Sequence, residues 1–185
     1  AAPINCPASF TTDPTAKVEN VGGTTTAADG CQYLSGSAPS NVANITNINA
    51  AGFFGFSDWT VNAGNGQVDT DASPQSGTWA ISGVDFANFD YMIVFKDGAD
   101  TNLIAFSFNE LFASGVWASP FSNPPFNVTN TKDVSHYTIV QRECPATDED
   151  CGGGPPTGVP EPGSLALLGL GLAGAAFFRR RKHHS

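Results

Sequence analysis

Apolar residues along this chain fall in short runs separated by Gly, Asn, Asp and Ser. Residues 91–95 (Tyr-Met-Ile-Val-Phe) are continuously apolar over the length of one strand, the pattern of a strand buried on both faces. A second run, 103–108 (Leu-Ile-Ala-Phe-Ser-Phe), follows after a stretch containing Asp97-Gly98, which predicts an antiparallel hairpin with a longer loop. Trp79 and Ile81 alternate with Ala80 and Ser82, and Tyr137 and Ile139 fall on one side of the strand expected at 136–142. Phe53, Phe54, Phe56, Trp59 and Val61 read as an earlier pair of strands. Before residue 163 no stretch has a sustained helical period. The pattern predicts a mainly β protein, an antiparallel β-sandwich over residues 1–151.

Residues 152–158 (Gly-Gly-Gly-Pro-Pro-Thr-Gly) interrupt this pattern after the acidic run Asp148-Glu149-Asp150. Residues 152–162 form a Gly/Pro linker, flexible at its glycines and stiffened at its prolines. Residues 163–185 then form a different kind of segment. The sixteen residues from Gly163 to Phe178 carry no charge. As a helix they reach about 24 Å, against a hydrocarbon layer of about 30 Å, so they predict a short transmembrane helix. Arg179, Arg180, Arg181 and Lys182 follow as a stop-transfer signal that favours the cytoplasmic side. Gly171 and Ala175 lie four apart on one helical face, where a second helix in the membrane has room to approach.

Charge sharpens this division. All 17 acidic residues and four of the eight basic ones precede Gly163, leaving that part at −13 and the rest at +4. Such an acidic body excludes a nucleic-acid partner, whose affinity depends on cationic contacts to phosphate. It equally disfavours docking on anionic lipid. The chain starts Ala-Ala-Pro, with no charged leader or apolar core preceding it, and reads as the mature end left by signal-peptide cleavage. Cys6, Cys31, Cys144 and Cys151 are even in number and lack the close pairs and neighbouring His of a zinc site. The favoured pairing is Cys6–Cys31 and Cys144–Cys151, which implies an oxidising compartment.

Val159-Pro160-Glu161-Pro162, the glycine-rich apolar span and the Arg cluster, in that order after a flexible spacer, resemble a PEP-CTERM sorting tail. The flanking prolines suit recognition in an extended form, because they oppose helix at that point. The resemblance implies that Pro160, Glu161 and Pro162 are the residues recognised by an exosortase, a membrane enzyme with a cysteine nucleophile. It implies an exported protein held in the inner membrane of a Gram-negative bacterium, its body in the periplasm, until it is released to the cell surface or matrix. Such systems accompany extracellular polysaccharide, a further expected partner. An alternative is a tail retained within a membrane-protein complex, respiratory or photosynthetic. More loosely, Gly77-Thr78-Trp79-Ala80-Ile81, Val94-Phe95-Lys96, Gly115-Val116-Trp117 and Ser135-His136-Tyr137 are similar to strand patterns in proteins bearing such tails.

Candidate chemistry in the body is sparse, and the expectation is a non-enzymatic protein with no cofactor. A Ser–His–acid triad would need His136 as base, with a Ser and Asp133, and no Gly-x-Ser-x-Gly elbow accompanies it. A strand-terminal His satisfied by a neighbour is the simpler reading. Asp69 with Asp71, and Asp97 with Asp100, offer oxygens to calcium, but neither pair has EF-hand spacing, so they read as solvated turn residues and no metal is expected. Trp59, Trp79 and Trp117 would serve a carbohydrate-binding module if exposed, although in alternating strands tryptophans are core residues first. Asn44-Ile45-Thr46 and Asn127-Val128-Thr129 match a glycosylation acceptor and carry no weight beside a bacterial-type tail.

Overall fold

The computed structural model describes residues 2–34, 43–70, 75–98 and 103–144, all within the first of the two units into which the chain divides, Ala1–Gly153. The linker, the apolar span and the basic end therefore lie outside the described residues, as do Asp71, Asp100 and Cys151.

The body is mainly β and its strands pair antiparallel. They are β1 (Pro3–Asn5), β2 (Val18–Asn20), β3 (Ala28–Leu34), β4 (Thr60–Val61), β5 (Val68–Asp69), β6 (Ser76–Ala80), β7 (Phe89–Asp97), β8 (Leu103–Phe108), β9 (Ser114–Ala118) and β10 (Val134–Glu143). The larger sheet has the order β1-β3-β8-β7-β10-β4, with β5 also pairing β10, and the smaller has the order β2-β9-β6. The expected hairpin is present: β7 and β8 run antiparallel with Lys96 opposite Leu103.

The continuous apolar run of β7 is explained by burial on both sides. Ile93 and Phe95 face one hydrophobic cluster together with Phe106, Tyr137 and Ile139, and Val18, Trp79 and Trp117 of the smaller sheet complete it. Met92 and Val94 face a second cluster with Ala105, Val140, Ile48, Phe53 and Trp59. Burial of large side chains of this kind contributes about 1.5–3 kcal/mol each.

That second cluster corrects the expectation for residues 53–61. The region opens on an α-helix, α1 (Ile45–Ala51), followed by a 3₁₀ turn at Phe53–Gly55, and only Thr60–Val61 pair as strand. Asn44 caps α1, its Oδ1 accepting the Asn47 amide at 2.9 Å, and Gly52 ends it in the left-handed conformation at φ 68°. Asn49 then clasps Trp59, with Asn49 Oδ1 accepting the Trp59 amide and Asn49 Nδ2 donating to the Trp59 carbonyl, both at 3.0 Å. The aromatic residues that imitate a strand pattern are there to cover the outer face of the larger sheet.

In the smaller sheet, β6 and β9 each carry Gly-x-Trp. The register sets Gly77 opposite Trp117 and Trp79 opposite Gly115. Each indole lies over the facing glycine: a Cβ at Gly77 would fall 2.6 Å from the Trp117 ring, and one at Gly115 would fall 2.8 Å from Trp79 and 1.8 Å from the Glu19 carbonyl oxygen. Trp79 Nε1 is shared between the carbonyls of Glu19 (3.2 Å) and Val116 (3.1 Å). On the other side of β6, the Tyr137 hydroxyl donates to the Thr78 carbonyl at 3.2 Å and Asn65 Nδ2 donates to the Ala80 carbonyl at 3.1 Å.

Candidate functional site

His136 sits on β10 opposite Lys96 of β7 and Asp69 of β5, and is 5% exposed. Its Nε2 accepts the Ala43 amide at 3.1 Å, which places the ring proton on Nδ1, 3.3 Å from Ser135 Oγ. Nucleophile activation needs the reverse arrangement, a serine hydroxyl donating to an imidazole lone pair. The one lone pair of His136 is already engaged by backbone. Thr138 continues the contact, donating to the Ala43 carbonyl at 2.6 Å and accepting the Gln67 amide at 3.1 Å. Burial, and then the Lys96 ammonium, hold the His136 pKa below its ordinary value, with Asp69 acting weakly the other way. The satisfied strand histidine is what the structure presents.

The aspartates divide. Asp69 is exposed on β5, whereas Asp97 is the last residue of β7 and is buried rather than solvated in a turn. The reason is its neighbour: Lys96 is 2% exposed, and its ammonium donates to the carbonyls of Asp97 and Gly98, both at 2.7 Å, with Asp97 Oδ1 3.9 Å away. A buried cation attracts backbone oxygen and a carboxylate to itself. The sequence offered one signal for this, a lysine in phase with Met92 and Val94. Among the described residues no three His, Cys, Asp or Glu side chains gather in a way that would hold a metal ion.

Trp59, Trp79 and Trp117 are all buried, at 4%, 2% and 3% exposure. Stacking on a sugar needs an open ring face, so these three offer no such platform. Arg142, near the end of β10, is also buried. It pairs with Asp90, lies 3.4 Å from Asp58, and sets its guanidinium 3.7 Å from the centre of the Phe56 ring. The cysteines follow expectation where they are described: Cys6 and Cys31 form a disulfide. Cys144 is disulfide-bonded as well, and its expected partner Cys151 lies outside the described residues.

In the described body His136, Lys96 and Arg142 are each engaged by neighbouring groups, and the functional signal lies in the linear segment beyond it, where Pro160, Glu161, Pro162 and the cluster Arg179, Arg180, Arg181 and Lys182 are found. Residues 158–182 match the family described as the PEP-CTERM protein-sorting motif. This is the tail of an exported protein sorted at a membrane. The chain therefore carries a PEP-CTERM sorting tail, and the match covers none of the described body. No curated protein matches the chain, and no solved structure matches it.

Proposed function

We propose that this chain is an exported, non-enzymatic structural or interaction protein whose β body is delivered by its tail. The observation that carries this reading is the sorting motif at residues 158–182. In the proposal, Gly163–Phe178 crosses the inner membrane as a helix, with Thr157 periplasmic and Lys182 cytoplasmic. The span is uncharged, and a single central Asp or Arg would cost about 2.5–3.5 kcal/mol on insertion scales. An exosortase reads Pro160-Glu161-Pro162 in extended form and frees the body for the cell surface or the polysaccharide matrix. The engaged lone pair of His136 supports a body without a nucleophile–base pair.

A second reading, retention as a subunit of a membrane complex, draws on the small-residue face at Gly171 and Ala175, which suits close helix packing. Intact mass of the protein from its native host separates the two. Processing predicts a chain ending near Pro162, and a Pro160→Ala, Pro162→Ala variant that keeps its tail. A mass including Ser185 in both proteins overturns processing and leaves retention.

A further inference from the structure

Asn65 is the one asparagine in the chain that glycine follows. At an Asn-Gly step the side chain is readily attacked by its own backbone, because glycine has no Cβ to obstruct its nitrogen and leaves the peptide free to turn. In this fold the step is built into a join between the two sheets. Asn65 is 9% exposed, and Gly66 beside it is exposed. Asn65 Nδ2 donates to Asn62 Oδ1 at 2.7 Å and to the carbonyl of Ala80, the last residue of β6, at 3.1 Å. Asn62 Oδ1 also accepts the Ser82 amide at 2.9 Å, while Asn62 Nδ2 donates to the Ser82 carbonyl at 2.8 Å and to Gln141 Oε1 of β10 at 2.7 Å. The backbone is held on both sides of Gly66: the Asn65 carbonyl accepts the Ile139 amide at 3.1 Å, and the Gln67 amide donates to Thr138 Oγ1 at 3.1 Å.

We propose that Asn65 is a deamidation site that the fold keeps closed, and that conversion there unfastens the loop 62–67 from the end of β6. The step is intramolecular. The Gly66 nitrogen gives its proton to solvent base and attacks Asn65 Cγ. The Cγ–Nδ2 bond breaks, the nitrogen takes up a proton and leaves as ammonia, and a succinimide ring remains. Water then opens either carbonyl of the ring, giving aspartate or isoaspartate at 65. Ring closure requires the Asn65 side chain and the adjoining peptide to turn together. The side chain is tied by its two donated bonds, and the peptide is tied through Ile139 and Thr138, so attack waits on the opening of these bonds. The nitrogen that leaves is the donor that serves both acceptors. An acidic residue at 65 sets carboxylate oxygen against Asn62 Oδ1 and the Ala80 carbonyl, and acceptors left buried without a donor are costly.

The test incubates the full chain in mildly alkaline buffer, folded or in urea with its disulfides intact, and maps amide-to-acid conversion and isoaspartate by peptide mass analysis. Asn127, exposed and followed by Val128, is the internal reference. In urea, conversion at Asn65 is expected to exceed that at Asn127 several-fold, and Gly66→Ala is expected to remove the excess. In the folded chain, conversion at Asn65 is expected to be several-fold slower than in urea. Equal rates at 65 and 127 in urea overturn the site, and equal rates at 65 in the folded and unfolded chains overturn its closure by the fold. The consequence is read by amide hydrogen exchange in folded Asn65→Asp. The Ser82 amide, which Asn62 Oδ1 accepts, is expected to exchange several-fold faster than in the parent, with Ile93 of β7 unchanged. Full protection at Ser82, or protection lost at Ser82 and Ile93 alike, overturns the unfastening.

Discussion

At the scale of single residues, the body is governed by a few close approaches. Gly115 faces both an indole and the Glu19 carbonyl oxygen, so an added methyl meets backbone that has no room to yield. Gly115→Ala is expected to cost at least about 3 kcal/mol in urea denaturation, at the upper end of overpacking losses. Gly77→Ala, which meets only the Trp117 ring, is expected to cost less. His136 sets a pH dependence. Its folded pKa lies below 6.5 because burial, and then Lys96, disfavour the imidazolium. Between the folded pKa and 6.5 the unfolded chain binds more protons, so stability rises with pH through that window and is lost as pH falls. The same protonation would break the bond from the Ala43 amide. Thermal melts from pH 7.5 to pH 5 should show this loss, and His136→Gln should flatten it, since the amide oxygen accepts without titrating in that range.

Elements show where sequence pattern speaks clearly and where it misleads. The β7–β8 hairpin was legible because a strand covered on both sides needs an unbroken apolar run, and a turn signal separates it from the next. The Trp79/Ile81 and Tyr137/Ile139 faces were legible for the same reason of alternation. The helix α1 was not. It has seven residues, too few for a helical period to emerge, and its sequence Ile-Thr-Asn-Ile-Asn-Ala-Ala is poor in strong helix formers beyond its alanines. What marks it is punctuation, Asn44 before and Gly52 after, and Asn44 also opens a glycosylation triplet that masks its capping role. The buried state of Asp97 was hidden because it depends on Lys96, whose burial is a tertiary outcome. Strand β1 illustrates covalent support of a short element. Three residues pair with β3, and the Cys6–Cys31 bridge closes a loop of 25 residues beside them. By chain-entropy reasoning the bridge contributes about 3.5 kcal/mol. A Cys6→Ala, Cys31→Ala variant should therefore melt well below the parent by calorimetry, and an unchanged midpoint would show that β1 is held by its pairing alone.

For the whole molecule, the informative contrast is between a body whose contacts are assembled by folding and a tail whose meaning is linear. The sorting motif was legible because its parts are contiguous in the chain, so sequence order is itself the signal. A contact assembled by folding leaves no such trace: Ala43 and His136, joined through the imidazole, lie 93 residues apart in the chain. Net charge belongs to this scale too. The part before Gly163 carries −13, and its described lysines and arginine include two that are buried, Lys96 and Arg142. Fluorescence anisotropy with labelled duplex DNA at physiological salt is expected to show no complex, because too few cations are presented to release counterions.

One further consequence follows from the hydrogen bonds that reach β6 from Tyr137 and Asn65. A strand at the margin of a sheet is a template on which a neighbouring chain can polymerise. Here the Thr78 and Ala80 carbonyls, which an incoming strand would need as acceptors, are occupied by side chains of the same molecule. Strand addition at those two positions of β6 must first displace the Tyr137 and Asn65 side chains.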